Sequence, residues 1–328
     1  MTSPARTVFL GSGSFGVPIL EALAQHPAAD LRAVVTAPAR PVGRGGKVRP
    51  SAVGVRASAM AYPLIAPERL RAPEAIDALE RLAPELLVLA DYGQIVPGAL
   101  LDLPRHGALN LHPSLLPRHR GATPIPAAIL AGDPSTGVSL MRMDEGLDTG
   151  PLIALREVTL HGDEVAPDLE AALAGVAAVL LADSLAAWLA GALPPVPQAK
   201  EGATLTRPLR REDGRLDAGL PARVLERQVR AYQPWPGSFL ETEVGRLVVW
   251  RSHVLDEPAS SGGRHGDGLL GSPGQFVAAS DRLALTTADG FLSLVEVQLA
   301  GGRRMRGAEL IRGRPTLVGS RVRERAVG

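Results

Sequence analysis

Cysteine is absent from all 328 residues of the sequence. Disulfide bonds, thiolate zinc sites and cysteine nucleophiles are therefore excluded together. No apolar run reaches the roughly 20 residues that a membrane-spanning helix needs. The first residues, MTSPARTVFLGSGSFG, lack the long apolar stretch of a secretory signal. These absences predict a cytoplasmic protein with no membrane partner.

Lysine is almost absent as well, since Lys47 and Lys200 are the only two among 35 basic residues. The net charge is +1, but residues 207–328 hold 19 arginines and 14 acidic residues, a balance of +5. The planar guanidinium group matches phosphate geometry, so this basic third of the chain suits a polyanion partner. A solvated arginine-rich surface explains the same charge, and composition does not separate the two interpretations.

Length and an apolar content of 45% predict a globular protein of about two domains. Short apolar runs alternate with helical patterns up to residue 195, which predicts an α/β domain with a Rossmann-like, mostly parallel sheet over 1–195. Prolines then begin a linker over 196–209. Short strands between turns predict an OB-type β-barrel over 210–320, followed by a basic tail over 321–328.

The individual elements follow from hydrophobic periodicity and from turn residues. In the first domain we predict strands at Thr7–Leu10, Leu31–Thr36, Leu86–Ala90, Gly107–Leu111 and Gly137–Met143, and helices at Val17–Gln25, Ala75–Leu82 and Val165–Leu193. In the second domain we predict a helix at Ala222–Ala231 and strands at Leu247–Val254, Gly274–Ala279, Leu283–Thr287 and Phe291–Gln298.

A long loop interrupts the first domain at about residues 37–51, with the sequence APARPVGRGGKVRPS. It carries Arg40, Arg44, Lys47 and Arg49 and contains no acidic residue. Long loops inside α/β units are uncommon and are often functional. The unopposed positive charge favours a binding loop over a passive surface insertion.

The stretch GSGSFG at residues 11–16 matches G-x-G-x-x-G between a predicted strand and a predicted helix. A dinucleotide site also needs an acidic residue at the end of the second strand, and the sequence VVTAP at 34–38 has none. NAD is therefore not expected. A tight strand-to-helix turn and an anion site at the helix N-terminus remain as interpretations.

Three polar residues form the candidate site. Asn110 and His112 lie two residues apart at the carboxyl end of a predicted strand, so they project to the same side. Asp148 lies on a later glycine-flanked turn, GLDTG, and reaches His112 if the two strands are neighbours. A carboxylate beside an imidazole raises its pKa and fixes its tautomer. An amide donor suits a developing oxyanion.

Two reactions fit these residues. Without an obvious nucleophile, Asn110, His112 and Asp148 indicate direct acyl transfer between two bound substrates. A hydrolase triad of Ser114, His112 and Asp148 is the competing chemistry. It is disfavoured because Ser114 lies in the sequence SLLP and not on a strand-to-helix elbow.

At these residues the chain resembles the formyltransferase family that uses 10-formyltetrahydrofolate. The similarity extends from about residue 7 to 318. It rests on NLHPSLLPRHRG at 110–121, TPI at 123–125, TGV at 136–138, MDEGLDTG at 143–150, YG at 92–93, RPVGRG at 40–45 and RAYQPWPG at 230–237. His119 departs from the family pattern, because an aromatic residue, commonly Trp, usually stands there.

The resemblance implies roles for these residues. Asn110 would hold the formyl oxygen, His112 would move protons, and Asp148 would orient His112. The folate site would be formed by Ser114, Leu115, Leu116, Pro117, Tyr92 and Gly93. The formyl donor, 10-formyltetrahydrofolate, is the implied co-substrate, and neither a metal nor NAD is expected.

The long loop and the basic C-terminal region are similar to the branch of this family that acts on initiator methionyl-tRNA. In that branch Arg40, Arg44 and Lys47 would contact the tRNA, and a monomer is expected. Three alternatives stay open: a formyltransferase for an amino-sugar nucleotide or another small amine, a formyl-folate hydrolase, and a non-catalytic RNA-binding homologue.

Overall fold

The computed structural model describes residues 3–42, 46–255, 272–279 and 282–323. The chain divides into two compact units. The first contains residues 1–125, 134–160 and 168–207, and the second contains 126–133, 161–167 and 208–328. Most of the predicted linker, 196–209, therefore lies within the first unit.

The first unit alternates strands and helices along the chain. Its strands are β1 (Ala5–Gly11), β2 (Ala29–Val35), β3 (Arg40–Val42), β4 (Lys47–Arg49), β5 (Leu64–Ile65), β6 (Leu86–Ala90), β7 (Ala108–His112), β8 (Arg120–Gly121), β9 (Ser135–Arg142), β10 (Leu152–Thr159) and β11 (Leu205–Thr206). The helices that accompany them are α1 (Gly16–Gln25), α2 (Ala52–Ala59), α3 (Pro73–Glu80), α4 (Gly98–Asp102), α5 (Pro124–Ala131) and α6 (Ala166–Leu189), the last two of which the second unit shares.

A seven-stranded sheet with the order β10-β9-β7-β6-β1-β2-β5 organises this unit. The strands are parallel except β9, which runs antiparallel to β7, and β10, which runs antiparallel to β9. All five residues of β6 are buried, as expected for a strand covered on both faces. The predicted Rossmann-like sheet is confirmed, and the carboxyl ends of β1, β6 and β7 meet at one edge.

Each predicted strand and helix of the first domain is present, with ends shifted by up to four residues. The predicted loop at 37–51 differs, because it contains the antiparallel hairpin β3–β4. Arg40 on this hairpin forms an exposed ion pair with Glu68 at 2.8 Å. Helix α2 then begins at a capping residue, since the Ser51 hydroxyl accepts from the Gly54 N–H at 2.8 Å.

Helix α6 has the length and apolar composition of a membrane-spanning helix. It packs as a core helix along much of its length, with Leu173, Leu181 and Leu185 buried. Its indole at Trp188 donates to the His106 carbonyl at 3.1 Å. These contacts explain the long apolar helix as part of the first unit's core.

From residue 208 onward, the described residues of the second unit form an antiparallel sheet and two α-helices. Its elements are α7 (Ala222–Ala231), β12 (Ser238–Thr242), β13 (Gly245–Leu255), β14 (Phe276–Ala279), β15 (Arg282–Thr286), β16 (Phe291–Leu299), β17 (Arg304–Arg306) and α8 (Gly307–Gly313). The sheet has the order β12-β13-β16-β15-β14, and β17 pairs with β16. One apolar core joins the sheet to both helices, including Leu225, Phe276 and Leu310.

The predicted helix over 222–231 and the four predicted strands of this domain are present. Strand β14 begins two residues later than predicted, at Phe276. The glycine-rich stretch at 259–271 and most of the predicted basic tail, from residue 324, lie outside the described residues.

Candidate active site

Strand β7 places Asn110 and His112 at the carboxyl edge of the sheet. Asn110 lies opposite Leu89 of β6 and Met141 of β9, and His112 lies opposite Ser139. The remaining residues of β7 are buried apolar side chains. The alternation of a pleated strand therefore presents the amide and the imidazole on one side, as predicted.

The turn after β9 brings Asp148 to these two side chains. Its Oδ2 lies 3.6 Å from His112 Nδ1, and its Oδ1 lies 3.5 Å from Asn110 Nδ2. The Gly121 backbone N–H donates to Oδ2 at 2.7 Å. Asp148 has a φ of +52°, in the left-handed region that Asp tolerates better than most residues. The structure thus brings all three predicted residues together.

The His112 imidazole lies between two acceptors. It is 5% exposed. Its Nε2 is 3.0 Å from the His119 carbonyl oxygen, and its Nδ1 faces the Asp148 carboxylate. Only a proton on Nε2 can satisfy that carbonyl, so this contact fixes the tautomer of the neutral ring.

The pKa of His112 is lowered from its ordinary value. Burial is the largest cause, because it disfavours the charged ring. The Asp148 carboxylate and the His119 carbonyl raise the pKa, and the His119 ring lowers it. The raising effect of a neighbouring carboxylate that the sequence predicts is therefore present, but burial outweighs it and the net shift of the His112 pKa is downward.

Residue His119 contacts the His112 ring through its main-chain carbonyl. It has a φ of +56°, which turns its carbonyl toward His112. Its backbone N–H donates to Thr204 Oγ1 at 2.8 Å. Sequence reasoning noted His119 only as a departure from a family pattern and missed this contact, because a backbone carbonyl leaves no signature in residue type.

Ser114 is unsuited to the nucleophile role of a hydrolase triad. Its hydroxyl donates to the Arg118 carbonyl at 2.6 Å, within the turn that follows β7. The His112 Nε2, which would have to accept the serine proton, faces the His119 carbonyl instead. Ser114 is fully buried, and its carbonyl accepts from the Ser139 hydroxyl at 2.8 Å. These contacts give Ser114 a structural part in the turn.

The other candidate folate residues lie on the turn after β7 and on the segment after β6. Leu115 and Pro117 are half-buried, and Leu116 is buried. Tyr92 is half-buried, and burial raises the pKa of its phenol to about 12. Gly93 is exposed, with open space where a Cβ would lie.

The segment after β6 lies against the turn that carries Asp148. A Cβ added at Gly98 would lie 2.9 Å from Glu145 Oε1. Each of the two segments carries an exposed apolar side chain, Ile95 at 90% and Leu147 at 60% exposure.

The glycine loop after β1 is occupied by a side chain of the protein itself. A Cβ at Gly13 would lie 1.6 Å from Asp91 Oδ2, so the close approach requires glycine. Burial and the neighbouring Glu170 raise the pKa of Asp91. A carboxylate at this position disfavours a bound phosphate. The loop is therefore better explained as a tight turn than as an anion site.

Two of the candidate tRNA residues lie on the hairpin β3–β4. Arg40 on β3 is two-thirds exposed beside Glu68, and Lys47 on β4 is exposed. Arg44 lies outside the described residues. Among the residues that the structure describes, His, Asp and Glu side chains form no group of three that could hold a metal ion.

Comparison with known proteins decides the family. Residues 5–185 match the family Formyl transferase, and residues 208–315 match Formyl transferase, C-terminal domain. The chain belongs to the formyltransferase family. This formyltransferase is 40% identical over 319 residues to the methionyl-tRNA formyltransferase of Myxococcus xanthus, covering 97% of this chain and 98% of the relative. It is 42% identical over 320 residues to the Halorhodospira halophila enzyme of that name, covering 97% and 99%.

Solved structures share the fold of the formyltransferase. HypX from Aquifex aeolicus, in complex with tetrahydrofolic acid, has a TM-score of 0.62 at 16% identity. The match covers 94% of this chain and 47% of HypX. The N-formyltransferase of Helicobacter canadensis has a TM-score of 0.60 at 15% identity, covering 93% and 100%. At these identities the likeness concerns the fold alone.

Proposed function

We propose that this formyltransferase moves the formyl group of 10-formyltetrahydrofolate to the free amino group of initiator methionyl-tRNA. The observation that carries the proposal is the convergence of Asn110, His112 and Asp148 at one edge of the sheet. Full-length similarity to methionyl-tRNA formyltransferases supports the choice of acceptor.

Asn110 serves as the donor to the formyl oxygen. When the amine attacks the formyl carbon, a C–N bond forms and the carbonyl electrons move to oxygen. A neutral amide N–H held at that oxygen stabilises the developing charge, and one such donor contributes about 10²–10³ in rate. The weak 3.5 Å contact of Asn110 Nδ2 with Asp148 leaves the amide able to turn toward the substrate.

His112 moves the proton. The attacking amine must lose a proton, and the folate nitrogen must gain one when its bond to the formyl carbon breaks. A neutral imidazole accepts the first proton through Nδ1, the nitrogen on the side of Asp148, and returns a proton to the leaving nitrogen. The lowered pKa of His112 keeps the ring neutral at the start of the reaction.

The Asp148 carboxylate counteracts the lowering of the His112 pKa. The imidazolium that forms during transfer is buried and therefore costly, and the carboxylate 3.6 Å away offsets that cost. The Gly121 N–H donates to Asp148 Oδ2 at 2.7 Å and so fixes the direction of the carboxylate.

The two substrates need separate surfaces. Two exposed apolar side chains, Ile95 on the segment of Tyr92 and Gly93 and Leu147 on the turn of Asp148, are the side chains that we assign to the flat folate ring. The exposed basic residues of the hairpin, Arg40 and Lys47, face phosphates of the tRNA. The second unit adds exposed arginines at 303, 304 and 306.

The test is transfer of labelled formyl from 10-formyltetrahydrofolate to charged initiator tRNA, with an amino-sugar nucleotide supplied in parallel. Formyl-methionyl-tRNA is the expected product, and its formation should lose most of its rate in His112→Ala while tRNA binding is kept. Formylation of the amino sugar without formylation of the tRNA would overturn the proposed acceptor. Release of free formate from wild-type enzyme without transfer would point to the hydrolase.

A further inference from the structure

Gln198 lies in the stretch after α6 that sequence patterns predict as a linker, yet all of its side-chain hydrogen-bonding groups are used. Its Nε2 donates to the Asp148 carbonyl at 2.9 Å and to the Gly150 carbonyl at 2.7 Å. Its Oε1 accepts from Arg120 Nε at 3.1 Å and Nη2 at 2.7 Å. An amide has two N–H donors and two acceptor lone pairs, so Gln198 is saturated.

These bonds close a ring around Asp148. The Asp148 carboxylate accepts from the Gly121 N–H, Gly121 follows Arg120 in the chain, and the Arg120 guanidinium donates to Gln198. Gln198 then returns to the main chain of Asp148. Asp148 is thus held at its side chain by Gly121 and at its main chain by Gln198, which is itself bonded to Arg120.

The ring has a physical reason in the backbone of the turn. Asp148 has a φ of +52°, and such a conformation persists in a non-glycine residue only where the surroundings hold it. The next glycine, Gly150, is also constrained, because a Cβ there would lie 1.9 Å from the Arg142 carbonyl. Gln198 donates to the carbonyls of Asp148 and Gly150 within this constrained turn.

The stretch after α6 also contacts His119 and Arg120, which lie after β7. The Thr204 hydroxyl accepts from the His119 N–H at 2.8 Å, and Thr206 donates to the Arg120 carbonyl at 3.0 Å. Strand β11 pairs in parallel with β8 next to these contacts. The segment after α6 is therefore part of the framework that holds His112 through His119 and Asp148 through Gly121.

We propose that Gln198 is a positioning residue for formyl transfer, which holds the Asp148 turn so that the carboxylate faces the His112 imidazole. The inference rests on the proposed function only for its kinetic readout. Its second readout is the ionisation of His112, which does not require turnover.

The kinetic test compares wild type with Gln198→Leu and Gln198→Glu in the full chain. The first variant removes all four bonds, and the second keeps the acceptor for Arg120 but loses the donors to Asp148 and Gly150. We expect both to lower kcat by about 10–100-fold, the effect of a displacement near 1 Å, with the KM values for folate and tRNA changed by less than about threefold. A kcat of Gln198→Glu equal to that of wild type would overturn the inference.

A matched control and a double-mutant cycle separate positioning from general stability. Gln228 likewise donates to two backbone carbonyls, of Asp213 and Arg215, in the second unit. Gln228→Leu should therefore lower the melting temperature by a similar amount with little change in kcat. In an Asp148→Asn background, Gln198→Leu should cost less than about threefold in kcat, and full additivity of the two losses would contradict action through Asp148.

The second readout is an NMR titration of ring-labelled histidine in wild type and Gln198→Leu, with His112→Ala to assign the signal. Because Asp148 raises the pKa of His112 against burial, loosening Asp148 should lower that pKa further. An unchanged His112 titration would overturn the inference whether or not the enzyme transfers formyl. Absence of transfer by wild type, together with the expected titration shift, would instead overturn the proposed function alone.

Discussion

The substitution Asp148→Asn tests the electrostatic core of the site. It removes one negative charge and keeps the size of the side chain, its tolerance of a positive φ and an oxygen for the Gly121 N–H. At an effective dielectric constant of about 20, two unit charges separated by the 3.6 Å between Asp148 Oδ2 and His112 Nδ1 attract by about 4–5 kcal/mol. This is the upper limit of the imidazolium stabilisation that the variant loses.

The loss of imidazolium stabilisation sets an upper limit on the loss of transfer rate. Each 1.36 kcal/mol corresponds to about a factor of ten, so the largest loss is about three powers of ten. The amide dipole of the new Asn retains part of the interaction with the ring. We therefore expect a loss of about 10²–10³ in the rate of formyl transfer, within the range of general acid–base catalysis.

The assay is a single-turnover transfer from labelled 10-formyltetrahydrofolate, quenched at short times across a range of pH. Because the carboxylate raises the pKa of His112, its removal should move the ionisation of His112 to lower pH. The matched control is Asp183→Asn, since Asp183 is an exposed acid of α6 paired with Arg156 at 2.9 Å. A rate for Asp148→Asn within threefold of wild type, with an unmoved pH profile, would refute the reasoning.

Three further predictions follow from local geometry. Gly121→Ala should lower the free energy of unfolding, measured by urea titration, by more than about 2 kcal/mol, because the φ of Gly121 is +102° and a Cβ would lie 2.3 Å from the Thr206 carbonyl oxygen. The control Gly162→Ala should lower it less, because Gly162 has a φ of +91° but open space where a Cβ would lie. Tyr92→Phe should leave the urea midpoint unchanged or raise it, because the buried hydroxyl has no hydrogen-bond partner among the described residues. A decrease of more than about 1 kcal/mol in the free energy of unfolding would contradict this prediction. Arg40→Ala should leave stability nearly unchanged, since its ion pair is exposed, but should reduce the salt slope of tRNA binding by about one; an unaltered slope would exclude Arg40 from the interface.

The sequence was sufficient for the sheet and for the two polar residues on β7. Continuous apolar runs such as residues 86–90 identify strands that are covered on both faces. Alternation along a strand then puts Asn110 and His112 on one side without any knowledge of the fold. The glycine-flanked turn made Asp148 a candidate, but its distance from His112 depends on β9 lying beside β7, which periodicity does not determine.

Other parts of the site depend on contacts between distant segments. The hairpin β3–β4 is short and rich in Pro, Gly and Arg, so it carries no alternating apolar pattern. The connecting stretch around Gln198 has the composition of a linker, and only its pairing with residues 120–121 reveals its part in the site. The net pKa shift of His112 depends on burial, which a local motif does not report.

In the mechanism that we propose, the surroundings of His112 meet two opposite demands on the imidazole. A base must be neutral when the amine attacks, and burial supplies that condition by lowering the pKa. The same ring must carry a positive charge a moment later, and acceptors at both nitrogens, the His119 carbonyl and the Asp148 carboxylate, supply that condition. The carboxylate without burial would favour the protonated ring before the reaction, and burial without the carboxylate would disfavour the imidazolium when it has to form. Burial and the carboxylate thus act in opposite directions on the ring, and the hydrogen bonds to the side chain and to the main chain of Asp148 fix the position of the carboxylate on which their balance depends.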